Sequence, residues 1–361
     1  MSTTSAAAVP PAQPKRAVAH RGSGTHATAV VHDQGYELVR LTSAAGMEAT
    51  FAPAVGMACC SLKDNGDELL GTRHGLPAFA SCGVTMGLAL LHPWIGRLPS
   101  WRYSALGETV RLPISPRLHT DGSGLPVNGV QSGPRAWHVD SLQADERGAH
   151  LRATLAFDHD PRQLELFPFP HRLHLDADLV GRALTLTVTV EATSSAAVPV
   201  CLGLRAFLRR DEEDGAATIA LPSRTAIETD SRLLPTGAAH PVGAWVHSLD
   251  GITRDDLFAL DHGRRMTVAS SSHGATVEPG NGFAQARVRS VADDPDVLID
   301  ALTAEPGALA HGAFPVATID RPYRAVLRVT PSAARRRAAR RRVTAGHAGR
   351  PARAHTVTRL K

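Results

Sequence analysis

The stretch Arg172-Leu173-His174-Leu175-Asp176-Ala177-Asp178-Leu179-Val180-Gly181-Arg182-Ala183-Leu184-Thr185-Leu186-Thr187-Val188-Thr189-Val190 alternates on both sides of a turn. Successive side chains of an extended strand point to opposite faces. Leu173, Leu175, Ala177 and Leu179 therefore share one face, and Arg172, His174, Asp176 and Asp178 the other. After Val180-Gly181-Arg182 the pattern resumes, with Leu184, Leu186, Val188 and Val190 set against Thr185, Thr187 and Thr189. Two such runs around a short glycine turn read as an antiparallel hairpin with one apolar face. Residues 151–157, 265–270 and 324–329 are further strands of the same texture, and no 15-residue stretch outside the C-terminal tail holds a 3.6-residue period. With 31 glycines and 25 prolines in 361 residues, the chain suits many short strands and turns rather than long helices. The expected fold is all-β, a large antiparallel sandwich in one domain.

The composition, 43% hydrophobic and 20% charged, supplies apolar mass for a large core and excludes a small disulfide-stapled or wholly disordered protein. The formal charge of +5 is unevenly spread. Residues 1–29 carry Lys15, Arg16 and Arg21 and no acid, and residues 331–361 carry nine Arg and one Lys and no acid. Those ends hold 13 of the 39 basic side chains, which leaves 26 against 34 acidic ones in residues 30–330, a net of −8. An acidic body offers no electrostatic platform for nucleic acid in its main site. The division expected is a flexible segment 1–29, a sandwich domain 30–330 and a disordered basic tail 331–361, where the stretch 335–361 is a candidate for weak contact with polyanions.

Cys59, Cys60, Cys82 and Cys201 lack the spacing of a metal site and read as buried thiols, so no metal is expected. The most apolar stretch, residues 84–95, is interrupted by Gly87, His92 and Pro93 and is too short to span a bilayer. Residues 20–28 are polar where a signal peptide needs an apolar run. The expectation is a soluble, cytoplasmic protein with no membrane partner; the sequence fixes no oligomeric state. Nucleophile elbows, zinc-protease motifs and Walker A loops are absent from it.

A series of segments, in order, resembles the aldose 1-epimerase (galactose mutarotase) family. Phe51-Ala52-Pro53-Ala54-Val55-Gly56-Met57 and Gly66-Asp67-Glu68-Leu69-Leu70 are similar to its opening strands. Leu91-His92-Pro93-Trp94-Ile95-Gly96-Arg97-Leu98 resembles its PWANRL segment, and Leu125-Pro126-Val127-Asn128-Gly129, with Trp137 downstream, its LPIHG segment. Phe167-Pro168-Phe169-Pro170-His171 and Leu202-Gly203-Leu204-Arg205-Ala206-Phe207-Leu208 resemble FPFPH and GWHPYL. Leu234-Pro235-Thr236-Gly237, Arg254-Asp255-Asp256-Leu257-Phe258 and Leu298-Ile299-Asp300-Ala301-Leu302-Thr303-Ala304 complete the series over residues 38–329. The resemblance implies an antiparallel β-supersandwich with a sugar cleft on its concave face. It also implies an isomerase that opens the pyranose ring and closes it on the other face: a carboxylate takes the anomeric proton, an imidazolium gives one to the ring oxygen, and no cofactor takes part.

The chain departs from that pattern at each proton-handling position. Asn128 stands where LPIHG has its His, and Arg205 where GWHPYL has the proton-donating one. Asp300, one methylene shorter, stands at the position of the family's Glu base. Arg205 holds its proton near pH 7, and misplacing a base by about 1 Å can cost roughly a hundredfold in rate. The residues that the resemblance assigns are Asp300 and Arg205 as the catalytic pair, with Arg97, Asn128, Asp255 and Trp137 binding a small-molecule sugar. Trp94 is a second stacking candidate, and His92, His119 and His171 are substitute proton donors. Arg205 can instead pair with Asp300 or Asp255 and fill the cleft. Three functions stay open: attenuated interconversion of hexose anomers, non-catalytic carbohydrate binding, and interaction through the arginine-rich tail.

Overall fold

The computed structural model describes residues 26–332 apart from 73, 116–117, 131–136, 211–216, 250, 252, 271–272 and 293. The segment 335–361 lies outside the described residues, as does most of 1–29. The sandwich starts earlier than residue 30: strand Ala27–Asp33 pairs along its whole length with Tyr36–Thr42, so ladder hydrogen bonds order residues whose composition alone reads as flexible.

Two large antiparallel sheets form the body. One has twelve strands and runs from Ala27–Asp33 at one edge to Pro235–Val242 at the other; the second has nine and runs from His138–Ala144 to Trp245–Ser248. The hairpin expected from the alternation is His171–Val180 paired with Ala183–Ala192, closed by Gly181 and Arg182, with Gly181 at φ +56° where a Cβ is disfavoured. Its apolar face is buried: Leu173, Leu179, Leu184, Val188 and Val190 have no exposed surface. The β-supersandwich expectation therefore holds, and one large apolar cluster, from Val39 to Val329, fills the space between the sheets.

The centre of the twelve-stranded sheet reads, in hydrogen-bonded order, Ala58–Asp64, Leu88–Leu91, Gly203–Arg209, Asp296–Leu302, Gln285–Ser290 and Arg254–Ala259. Alternation splits these strands between two environments. Leu204, Ala206, Leu208, Val297, Ile299, Ala301, Ala286 and Val288 face the core. Arg205, Phe207, Leu298, Asp300, Arg287 and Arg289 take the opposite, concave face. Two small apolar clusters cover parts of that face. One gathers Leu38, Ala58, Met86 and Ala89 under Leu76 and Phe79 of helix Gly75–Cys82; the other is Leu91, Ile95, Leu257 and Leu302. The helix is about two turns long, too short for a period test, and ends at Gly83 in the left-handed region. Cys82, its last residue, is exposed, whereas Cys59, Cys60 and Cys201 are buried as expected.

Candidate functional site

Register alone sets one charged row across the concave face. Arg205 stands directly opposite Asp300, and Asp300 opposite Arg287 on its other side. Two residues along, Phe207 stands opposite Leu298, Leu298 opposite Arg289, and Arg289 opposite Asp255. Two acid–base pairs form along these strands, and a third comes from the facing loop. Arg205 donates through Nε and Nη2 to the two Asp300 oxygens, at 2.8 Å each. Arg287 donates through Nε (2.5 Å) and Nη2 (2.6 Å) to Asp255. Arg97 donates through Nε to Asp121, which also receives the backbone N–H groups of Ser123 and Leu125.

Arg97 is carried by the loop after strand Leu88–Leu91. That loop is fixed by an exchange with strand Pro126–Val130: Asn128 N–H donates to Gly96 O (2.8 Å), Leu98 N–H to Pro126 O (2.9 Å) and Val130 N–H to His92 O (3.1 Å). The approach is close. A Cβ on Gly129 would lie 2.2 Å from His92 O, and Gly129 itself sits at φ +70°. Asn128 is left-handed too, at φ +59°, a region Asn tolerates better than most residues, and its Oδ1 accepts the Gly96 N–H at 3.0 Å. Asn128 therefore positions the Arg97 loop.

The resulting cleft has two lobes. One, about 220 Å³, is lined by Arg97, Asp121, Asn128, Arg205, Arg287, Arg289 and Asp300 with Val127, Leu233 and Leu298. The other, about 280 Å³, adds His74, Thr85, His119, Thr120 and Phe207. Val127, Asn128, Arg205, Arg289 and Leu298 belong to both, so the lobes are continuous. Burial works against the Arg205 charge, yet the adjoining Asp300 carboxylate and its hydrogen bonds prevail and raise the Arg205 pKa above its ordinary value. Arg97 moves the opposite way: burial, and then the like charge of Arg287, lower it. A larger hollow of about 390 Å³ lies over the first strands, but its Asp33, Glu48 and Glu68 are offset by Arg40 and Lys63, and Glu68 is taken by Ser61 Oγ and the Leu62 and Leu70 N–H groups.

Of the residues expected from the sequence, Arg97, Asn128, Arg205 and Asp300 converge on the cleft and His119 lines its second lobe. Asp255 stands beside it, forked onto Arg287. Trp137 does not stack on a ligand there: it is 5% exposed and belongs to the core between the sheets, as does Trp94 at 1%. His92 and His171 are also withdrawn, into a nest of Phe157, Phe167 and Phe169. His171 Nδ1 donates to Phe169 O at 2.6 Å, so its Nε2 accepts the 2.8 Å hydrogen bond from His92 Nε2, and burial lowers the His171 pKa to about 4. Arg287 and Arg289 were missed. Their signal was the alternation Ala286-Arg287-Val288-Arg289, two core residues interleaved with two cations on one strand face.

Comparison with known proteins agrees with the architecture. The Aldose 1-epimerase family model matches residues 37–244, more than half of the chain. Among solved structures, a galactose mutarotase-like protein from Clostridium acetobutylicum is similar with a TM-score of 0.73 at 16% identity, covering 84% of this chain and 98% of that one. Galactose 1-epimerase from Lactobacillus acidophilus NCFM gives a TM-score of 0.67 at 13% identity, covering 86% and 100%. The GalM/aldose epimerase homologue from C. elegans gives 0.61 at 14%, covering 80% and 97%. No curated protein matches in sequence. These identities speak for the fold, and no helix among the described residues is long and apolar enough to cross a membrane. It is the family's sequence pattern, running through the loop that carries Arg97 and the strands that carry Asn128 and Arg205, that settles the assignment: this chain belongs to the aldose 1-epimerase family.

Proposed function

We propose that the protein binds a sugar in this cleft and interconverts anomers no faster than water does. The observation that carries the reading is the fork between Arg205 and Asp300. Ring opening needs a carboxylate free to turn toward the anomeric proton and an acid that gives a proton to the ring oxygen. Here both Asp300 oxygens accept from Arg205, and the guanidinium keeps its protons at any pH of interest. The histidines do not replace it: His171, with a pKa near 4, is neutral at pH 7 and lies with His92 among phenylalanines, and His119 lines only the second lobe whereas Asp300 lines the first. Sugar recognition survives these losses, because it needs only convergent donors and acceptors in a concave site, which the two lobes supply.

Polarimetry of freshly dissolved α-hexoses and α-hexose derivatives, run beside calorimetric titration with the same compounds, tests this. The expected result is binding heat with at least one of them and a mutarotation rate equal to the buffer blank. A rate well above the blank would overturn the non-catalytic part; absence of heat with every sugar would overturn the binding part.

A further inference from the structure

The acid–base count of the cleft does not close. Three of its four arginines have a carboxylate partner: Arg97 with Asp121, Arg205 with Asp300, Arg287 with Asp255. The next pair outward, Arg232 with Asp230, is also self-neutralised. Arg289, which lines both lobes, has no ion-pair partner among the described residues. Its cross-strand neighbour Asp255 is the acid expected to serve it, yet that carboxylate is turned to Arg287. A second, independent observation lies on the facing loop. Arg97 lines the first lobe with a side chain only 12% exposed, and its Nη1 is buried without a hydrogen-bond partner among the described residues. A buried, unsatisfied guanidinium nitrogen costs free energy unless a ligand meets it. This surplus of positive charge sits in a body whose residues 30–330 are acidic overall, so it is not a by-product of a basic surface.

We propose that the sugar is acidic: a hexose or hexose derivative carrying an oxyanion, which Arg289 and the Arg97 Nη1 bind in the first lobe while the ring hydroxyls meet Asn128, Thr85 and Thr120. Planar guanidiniums present N–H forks that fit carboxylate, sulfonate and phosphate alike, and such charge-assisted bonds are stronger than those to hydroxyls. The repulsion that Arg287 exerts on Arg97, part of what lowers the Arg97 pKa, is offset by an anion held against Arg97 in the lobe that both arginines line. The proposal rests on the sugar-binding reading of the cleft and adds the charge of its ligand.

The test is calorimetry on the full chain with matched compounds: glucose and galactose, glucuronate and galacturonate, glucose 6-phosphate, and inorganic phosphate alone. The acidic sugars are expected to bind about tenfold or more tighter than their neutral counterparts at low salt, with the advantage shrinking as ionic strength rises. Preference for the uronates or for the sugar phosphate tells which oxyanion is meant; either supports the proposal. Arg289→Gln should abolish most of that advantage and Arg289→Lys should keep the larger part; an undiminished advantage in Arg289→Gln would overturn the role of Arg289. Equal binding of neutral and acidic sugars would overturn the proposal and leave the sugar-binding reading standing. Inorganic phosphate binding as tightly as glucose 6-phosphate would overturn it by removing the sugar from recognition, and no binding by any compound would end both readings.

Discussion

The hairpin His171–Val180/Ala183–Ala192 and the charged row Arg205–Asp300–Arg287 are built from the same alternation but differ in what fixes them. In the hairpin a two-residue turn joins the partners, so register is set locally and the pattern of one segment reveals the whole unit. In the row the partners are separated by up to 95 residues, and each charge is placed by the pairing of strands that are distant in sequence. The hairpin is held by apolar burial, which tolerates substitution of like for like. The row is held by charges that need each other. A residue taken out of the first leaves a smaller core; one taken out of the second leaves a charge without its counterpart.

The largest break in that contrast is Asp300→Ala. Asp300 is 4% exposed and the Arg205 side chain 14%, so the variant strands a guanidinium in a place with little water. Losing one partner of such a pair costs about 3–5 kcal/mol, whereas replacing both by apolar groups of similar size is close to neutral. Urea unfolding of Asp300→Ala against the double variant Arg205→Met/Asp300→Leu should therefore show the single change to be the worse. Equal loss in both would mean that the row is held by packing, like the hairpin.

A slightly smaller effect is expected at the foot of the hairpin itself, where His171 opens the first strand. Its pKa is lowered to about 4 by burial, so the folded state disfavours the protonated ring. The unfolded chain takes up that proton near pH 6.5, the folded one only near 4; the contribution is full above pH 6.5 and is lost as pH falls from there toward 4. The size is on the order of 3 kcal/mol. Protonation would also give His171 Nε2 a hydrogen that meets the one donated by His92, so the pair must be rebuilt as well as desolvated. Denaturant midpoints measured between pH 7 and 4.5 should fall in the parent and fall less in His171→Gln; parallel curves would show that the ring does not titrate in this window.

Both cases show where the sequence was readable. Alternation in 172–190 and in 324–329 specified the strands, because burying one face of a sheet leaves a two-residue period in the chain. Arg97, Asn128, Arg205 and Asp300 were legible only through the order of family-like segments. Nothing in their own spacing says that they meet. Arg287 and Arg289 fell outside those segments, and Asp121 was invisible because its role depends on a loop folding back to Arg97. Trp137 misled for the opposite reason. A tryptophan beside a sugar-site segment suits a stacking platform and a core position equally by type, and burial decided for the core.

The finest distinction between the two regions concerns Asp255, which either accepts a sugar hydroxyl or serves only as the counter-charge of Arg287. The pair is the more open of the two forks, with side chains 16% and 26% exposed, and partly exposed ion pairs contribute less than about 1 kcal/mol. Asp255→Asn should accordingly leave the unfolding midpoint almost unchanged. Its effect belongs to the ligand. With the carboxylate gone, Arg287 joins Arg289 as an unmatched cation, so glucuronate should bind a few-fold tighter while glucose gains nothing. If Asp255 instead accepts a hydroxyl, both sugars should weaken together, because the amide replaces a charged acceptor by a neutral one. Opposite signs for the two ligands therefore assign the acid to the charge balance of the cleft, and equal signs assign it to the sugar.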